Sequence, residues 1–381
     1  MEMENFRPLS TNIEVGGRAV TYPSSSTSGS KGSSFGSHPR ATTHKSITST
    51  DVPLSYNMHV EVALKSNYLT PSILYPAVQA WIGDYSSKCS LTVGILQAES
   101  YSGTPLEGAV ESVALEGFEE APDGTLNFWE DNNINVSIHL FHLSDDPPEA
   151  DSVDCPGSSP SQPTHTLTSL PSAELQPLWP SLHMGLGSAS TKSKVLNYIL
   201  QTFTLSALKV RPEVVALNRV ILLSGPPGTG KTTLCRAVAQ KATIRMGRQA
   251  LLINLHTHSL FSKYFSESGQ KISSLFTHIT SLCASAPLVV LLIDEVESLV
   301  PPRSSADLSD GVRATNAVLT CLDDMRRLDN VVVLCTTNVA GSGGIDEAFM
   351  SRVDLRVEVG PPDAEAVEGM VEEVCDELER A

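Results

Sequence analysis

Cysteine pairs, long apolar runs and positive charge are what this chain is short of. Its seven cysteines are scattered, odd in number and free of any C-x-x-C pair. That suits a reducing cytosolic or nuclear compartment better than a disulfide framework or a zinc site. The longest apolar runs, such as LVVLLI, are far too short to cross a bilayer, so no membrane partner is expected. Only 26 basic residues stand against 43 acidic ones, for a formal net charge of −17. Such a chain is a poor match for a nucleic-acid backbone or an anionic membrane, and protein or small-molecule partners are favoured. The opening MEMENF is acidic and polar, so neither a secretory leader nor an Arg-rich transit peptide is evident.

What is there divides into segments. Residues 1–54 contain SSSTSGSKGSSFGS and TTHKSITST, too poor in apolar surface to offset the entropy of ordering, and read as a disordered tail. Residues 55–145 read as a small α+β domain: MHVEVAL and NVSIHLFHL alternate like half-buried strands, with PSILYPAVQAWIGDY between them. His139 and His142 lie three apart in the last strand and so face opposite ways; they read as structural, not as a chelating pair. Residues 146–169, rich in Pro, Ser and acid, read as a linker. From residue 170 to 360, near-continuous Val/Leu/Ile strands alternate with helical stretches, the pattern of a parallel sheet buried on both faces. The fold class expected is α/β, a doubly wound P-loop sheet flanked by helices, preceded by the α+β domain.

Two motifs sit at strand ends in that second domain. Gly225, Pro226, Pro227, Gly228, Thr229, Gly230, Lys231 and Thr232, followed by Thr233, fit G-x-x-x-x-G-K-[ST] between a strand and a helix. The glycines turn backbone N–H groups toward phosphates, the helix N-terminus adds positive potential, Lys231 reaches the β and γ phosphates, and Thr232 can hold Mg2+. In LVVLLIDEVE, Asp294 falls at a strand end where it can bind Mg2+ or its water. Glu295 beside it can orient and deprotonate an attacking water, which points to hydrolysis. The bland reading of this acid pair is a cap for the next helix. The cofactors expected are ATP and Mg2+.

GPPGTGKT, IDEVE, TTN and IDEAFMSRVD together resemble the AAA+ ATPase module. SLFSKYFSESG, VRATNAVLTCLDDM and LPSAELQPLWPSL are similar to the pachytene checkpoint ATPases, hexameric remodellers of HORMA-domain proteins. The resemblance is strong from about Leu170 to Pro362, weaker across the N-terminal domain, and does not cover residues 1–54.

That resemblance implies further roles. Asn338 takes the place of a sensor that positions the lytic water, or else is a strand-end cap. Arg352 takes the arginine-finger place and would reach a neighbour's γ-phosphate, or else pairs with Asp354 at the surface. Tyr264 and Phe265 would line a central pore and grip an extended polypeptide, with PPRSSADLSDG as a second pore loop; a Tyr-Phe pair is otherwise a core feature. Trp179 borders the adenine pocket in the family or is simply core. The partners implied are HORMA-domain proteins and a HORMA adapter met by the N-terminal domain, and other copies of the chain in a homohexamer, with no direct nucleic-acid contact. The processes implied are meiotic chromosome-axis, recombination-checkpoint and spindle-checkpoint control, in the nucleus on chromosomes and in the cytoplasm. Residues 361–381 read as the start of a truncated helical lid, so two other readings stay open. One is a hydrolysis-defective module that binds ATP or an adapter, and the other an AAA+ ATPase acting on DNA.

Overall fold

A computed structural model describes residues 56–65, 71–117, 125–126, 134–152, 163–184, 186–208, 217–257, 265–302, 309–339 and 343–380. Tyr264, residues 303–308 of the expected second pore loop and the N-terminal tail therefore lie outside the described residues.

The N-terminal part is a four-stranded sheet of order β3-β4-β1-β6 with one long helix. Its strands are β1 (Tyr56–Leu64), β3 (Gly94–Leu96), β4 (Val110–Glu116) and β6 (Ile134–His142), and its helix is α1 (Pro71–Lys88). β2 (Leu91–Thr92) pairs with β5 (Thr125–Leu126) beside it. β1 runs antiparallel to β4 and parallel to β6. Its alternation works as the sequence suggests on one face: Met58, Val60 and Val62 are buried with Val78 and Trp81 of α1. The other face of β1 carries His59 and Glu61, and Glu61 is buried as well.

The second sheet has seven strands in the order β13-β9-β12-β11-β10-β8-β7. Five are parallel: β9 (Val220–Ser224), β10 (Ala250–Leu255), β11 (Val289–Ile293), β12 (Val331–Thr337) and β13 (Leu355–Glu358). Their apolar runs alternate between two cores. Val289, Leu291 and Ile293 face Ile272, Phe276 and Ile279 of α5 (Phe265–Ser285) and Val318 of α6 (Ser309–Met325). Val290 and Leu292 face Leu196 and Ile199 of α3 (Leu186–Ala207) and Leu234 and Val238 of α4 (Lys231–Met246). Burial on both faces is why every second residue need not be polar here.

Two strands differ from the sequence reading. β7 (Glu149–Asp151) and β8 (His165–Leu170) fall in the segment read as a linker, yet β8 pairs antiparallel with β10 and β7 with β8. The sheet is mixed, not wholly parallel, because a short polar hairpin can cap a sheet edge without the apolar pattern of an interior strand. The short helices α2 (Leu178–Ser181) and α7 (Glu347–Met350) and the final α8 (Ala364–Arg380) complete the fold. His183 contacts Glu373 of α8 at 3.1 Å, while Val371, Val374 and Leu378 of that helix are exposed. No helix among the described residues is long and apolar enough to cross a membrane.

The two parts meet at α4. Lys241 and Arg245, four residues apart on one helical face, enter the polar face of the first sheet. Lys241 Nζ donates to Glu61 and Glu116, both at 2.6 Å, and Arg245 bonds both carboxylates at 3.3 Å. His59 and His139 stack beside them, Nδ1 to Nε2 at 3.0 Å. His139 is thus structural and its partner is His59, from the strand alongside.

Candidate active site

The P loop joins β9 to α4 at the carboxyl edge of the parallel strands, where doubly wound sheets bind ligands. Gly225, Gly228 and Gly230 have φ of 156°, 80° and 79°, a region that favours glycine. At Gly225 a Cβ would lie 2.1 Å from the carbonyl oxygen of Val359, the residue just past β13, so the close approach of that backbone demands the glycine. Gly230 then caps α4, and its carbonyl starts the helix by accepting from Leu234 N–H at 2.8 Å. Lys231, buried, donates to the carbonyls of Gly225 at 2.9 Å and Pro226 at 2.7 Å. Thr229 closes the turn by donating to Pro226 O at 3.0 Å. Pro226, Pro227 and Gly228 are exposed, and Thr233 is half-buried one residue beyond Thr232.

The loop fits an anionic phosphate chain on its own geometry. Its glycines leave a backbone cradle without side chains, and its one ammonium rests on loop carbonyls that phosphate oxygens can replace.

The acidic side of the site comes from the ends of β11 and β12, with β12 lying between β11 and β9. Asp294, just past β11, accepts from Thr232 Oγ1 at 2.9 Å and from the Thr336 hydroxyl of β12. A carboxylate facing a P-loop hydroxyl is the hard oxygen set that suits Mg2+. Glu295 follows with φ 54°, unusual for a residue with a side chain. Its N–H donates to Thr336 Oγ1 at 3.1 Å, which holds that turn. Asn338 Nδ2 approaches Glu295 Oε1 at 3.4 Å, and Asn338 N–H donates to Glu297 at 3.1 Å. The other Glu297 oxygen is buried with no hydrogen-bond partner.

Lys231, Thr232, Asp294, Glu295 and Asn338 are therefore drawn together by three adjacent strands. Thr336 and Glu297 were not singled out from sequence. TTN and IDEVE contain them, but nothing in those strings says that Thr336 bridges Asp294 to the Glu295 backbone. Burial pushes the thiols of Cys235 and Cys335 well up, so neither supplies a thiolate near the site.

Arg352 stands apart. Its guanidinium grips Asp323 in a bidentate pair at 2.8 and 2.7 Å and donates to Ala348 O at 2.6 Å. The hydrogen bond to Asp323 raises the Arg352 pKa and lowers that of the carboxyl. The surface partner expected, Asp354, is instead taken by Tyr198, Asn218 and the Arg219 N–H. Trp179 lies in the core against α4 and sits under the ammonium groups of Lys192 and Lys241, at 5.3 and 5.2 Å. Phe265 is the first residue of α5, so the stretch read as a pore loop is helical from that point on.

A P loop at the end of the first strand of the parallel core, with an asparagine past the adjacent β12 and an acid pair past β11 beyond it, defines a AAA ATPase domain. Residues 221–361 match the family described as ATPase family associated with various cellular activities (AAA). The chain is 36% identical over 323 residues to the pachytene checkpoint protein 2 homolog of Gallus gallus, covering 81% of this chain and 71% of that one. The Rattus norvegicus homolog is 41% identical over 240 residues, covering 61% of this chain and 54% of the relative. The structure of C. elegans PCH-2 matches with a TM-score of 0.68 and 30% identity, over 85% of this chain and 78% of that one. The chain belongs to the pachytene checkpoint protein 2 family. It spans about half the length of the mammalian relatives it matches.

Proposed function

We propose that the chain hydrolyses ATP with Mg2+ and uses the turnover to remodel HORMA-domain proteins. The observation that carries the hydrolytic half is the contact of Asn338 with Glu295 beside the Thr232–Asp294 pair. An acid placed for proton transfer next to an amide is of no use to a protein that only holds nucleotide.

Bound ATP and Mg2+ supply an activated terminal phosphoryl group whose charge the ion helps neutralise. Lys231 leaves the carbonyls of Gly225 and Pro226 and pairs with phosphate oxygens. Thr232 and Asp294 would hold the ion. Glu295 Oε1 takes a proton from water, and the Asn338 amide orients that water. Arg352, held by Asp323 and the Ala348 carbonyl, serves the site of a neighbouring copy in a homohexamer.

Family membership supports the substrate half. The substrates are HORMA-domain proteins of the meiotic chromosome axis and of the spindle checkpoint, met through residues 55–145 with a HORMA adapter, in the nucleus on chromosomes and in the cytoplasm. Tyr264 and Phe265 grip an extended end of the substrate, which is pulled through the ring and locally unfolded.

Steady-state hydrolysis by the purified chain, run beside Glu295→Gln on a sizing column, tests the reading. The variant should lose at least about 100-fold in turnover while still binding ATP. Equal turnover in both would remove Glu295 as the base and, with it, the mechanism.

A further inference from the structure

At the far edge of the second sheet, away from the P loop in chain and in strand order, three elements bring together Asp151, His165 and His278. Asp151 ends β7, His165 opens β8 and His278 lies on α5. One donor atom from each lies within 4.8 Å of the other two. Asp151 Oδ2 is 3.6 Å from His165 Nε2 and 3.1 Å from His278 Nε2. Ligands held at about 2.0–2.2 Å in a tetrahedron stand about 3.4 Å apart, so these separations bracket the expected edge.

Geometry of this kind also occurs in plain polar clusters; His165 is what separates the two. Its side chain is wholly buried, yet Nε2 has no hydrogen-bond partner among the described residues. Its Nδ1 is 3.1 Å from Thr164 Oγ1, and that hydroxyl lies 3.5 Å from the Asp151 carbonyl. A consistent proton chain runs Nδ1–H to Thr164, then Thr164 O–H to Asp151 O. It leaves a bare Nε2 lone pair facing Asp151 Oδ2 and His278. The opposite tautomer places a proton on Nε2 with no hydrogen-bond acceptor among the described residues, Asp151 Oδ2 standing at 3.6 Å, beyond a useful hydrogen bond. Neither protonation state satisfies a fully buried ring nitrogen, which a cation does at once.

The surrounding groups are those that orient metal ligands. The Thr164 hydroxyl fixes the His165 tautomer, and Ser152 N–H donates to the second Asp151 oxygen, Oδ1, at 2.7 Å. Nearby His256 is otherwise engaged, with Nε2 at 2.9 Å from Thr166 Oγ1 and Nδ1 at 3.3 Å from Pro163 O, and it is not a ligand.

We propose that Asp151, His165 and His278 form a binding site for a divalent transition ion, Zn2+ by its donor set, which clamps the β7–β8 hairpin to α5. Two imidazoles and a carboxylate suit zinc, whereas Mg2+ and Ca2+ prefer sites built from oxygen alone. Three protein ligands leave a fourth position to water on the side where Asp151 and His278 are partly exposed. The ion ties the outermost strands to the helix that packs over the sheet, adding to the His278–Asp151 contact and to the packing of Leu167 on that helix's apolar face.

The test uses the whole purified chain, untagged, with Mg2+ and ADP present so that the P loop is filled. Zn2+ alone is added against a competing chelator, and Co2+ alone is added for its visible d–d absorption. One equivalent of Zn2+, tetrahedral-strength cobalt bands and a zinc-dependent rise in melting temperature are expected. Asp151→Asn and His278→Gln, both at partly exposed positions and checked for unchanged circular dichroism, should each weaken zinc at least tenfold and abolish the cobalt bands. Failure to bind zinc, or binding unchanged in both folded variants, overturns the site. None of these readouts depends on ATP turnover, so the result stands or falls separately from the proposed activity.

Discussion

Gly225 shows how one residue can be fixed by two demands at once. Its φ of 156° is a glycine conformation, and an added Cβ would press into Val359 O, just past the end of the adjoining strand. Gly225→Ala should therefore weaken nucleotide binding at least tenfold and cost about 1–3 kcal/mol of stability, read by nucleotide titration and thermal melting. A variant binding as tightly as the natural chain would mean that the loop yields without loss. The loop's place between strand and helix was legible in the sequence because G-x-x-x-x-G-K-[ST] constrains the backbone there. Thr336 was not, since its value comes from facing Asp294 and Glu295 across a strand boundary. His165 was hidden for the same reason, as its two companions lie 14 residues before and 113 residues after it and meet only through the sheet edge.

At the scale of elements, α4 carries two jobs at opposite ends. Its first turn holds Lys231 and Thr232, and its last turns present Lys241 and Arg245 to the N-terminal sheet. The alternation of MHVEVAL announced a strand with one polar face, and water was the natural expectation for that face. Instead α4 covers it, so Glu61 and Glu116 are buried and compensated by two cations. Lys241→Ala leaves two buried carboxylates with one cation, and should cost about 3–5 kcal/mol in a melting experiment. A loss within that of an ordinary surface variant would show the cluster to be solvated.

The same cluster gives a dependence on pH. Burial and the charge of Glu61 push the Glu116 carboxyl up to about 7. Glu61 also feels its burial, but Lys241 and Arg245 prevail and hold it below the usual range. Burial lowers His59 to about 2 and His139 to about 4, so both rings are neutral near pH 6. Glu116 binds its proton more tightly folded than unfolded, and its contribution is full below the unfolded pKa of 4.5 and fades as pH rises through about 7. The histidines act in the opposite sense, adding stability as pH rises from their lowered folded values toward the unfolded value of 6.5, so the comparison must isolate Glu116. Relative to Glu116→Gln, the natural chain should lose stability between pH 4.5 and 7, in step with that titration. A difference that is flat with pH would assign the proton elsewhere.

For the whole molecule, the five parallel strands were plain in the sequence because burial on both faces forces continuous apolar runs, whereas β7 and β8 needed only edge contacts and left no such trace. Whether Arg352 serves its own chain or a neighbouring copy, as proposed, can be decided by mixing two variants. Its guanidinium points into Asp323, while the Lys231 site sits at the carboxyl edge of β9. In a ring of like subunits, one copy's arginine can meet the next copy's phosphates, because a cyclic interface joins two different patches. Lys231→Ala chains lack a working P loop but keep Arg352, and Arg352→Ala chains have the reverse. Mixed in equal amounts and allowed to exchange, they should build productive interfaces at about a quarter of positions, wherever an intact P loop meets an intact arginine. Turnover in the mixture should then exceed that of either variant alone. If Arg352 served its own chain, every site would lack one group or the other, and mixing would restore nothing.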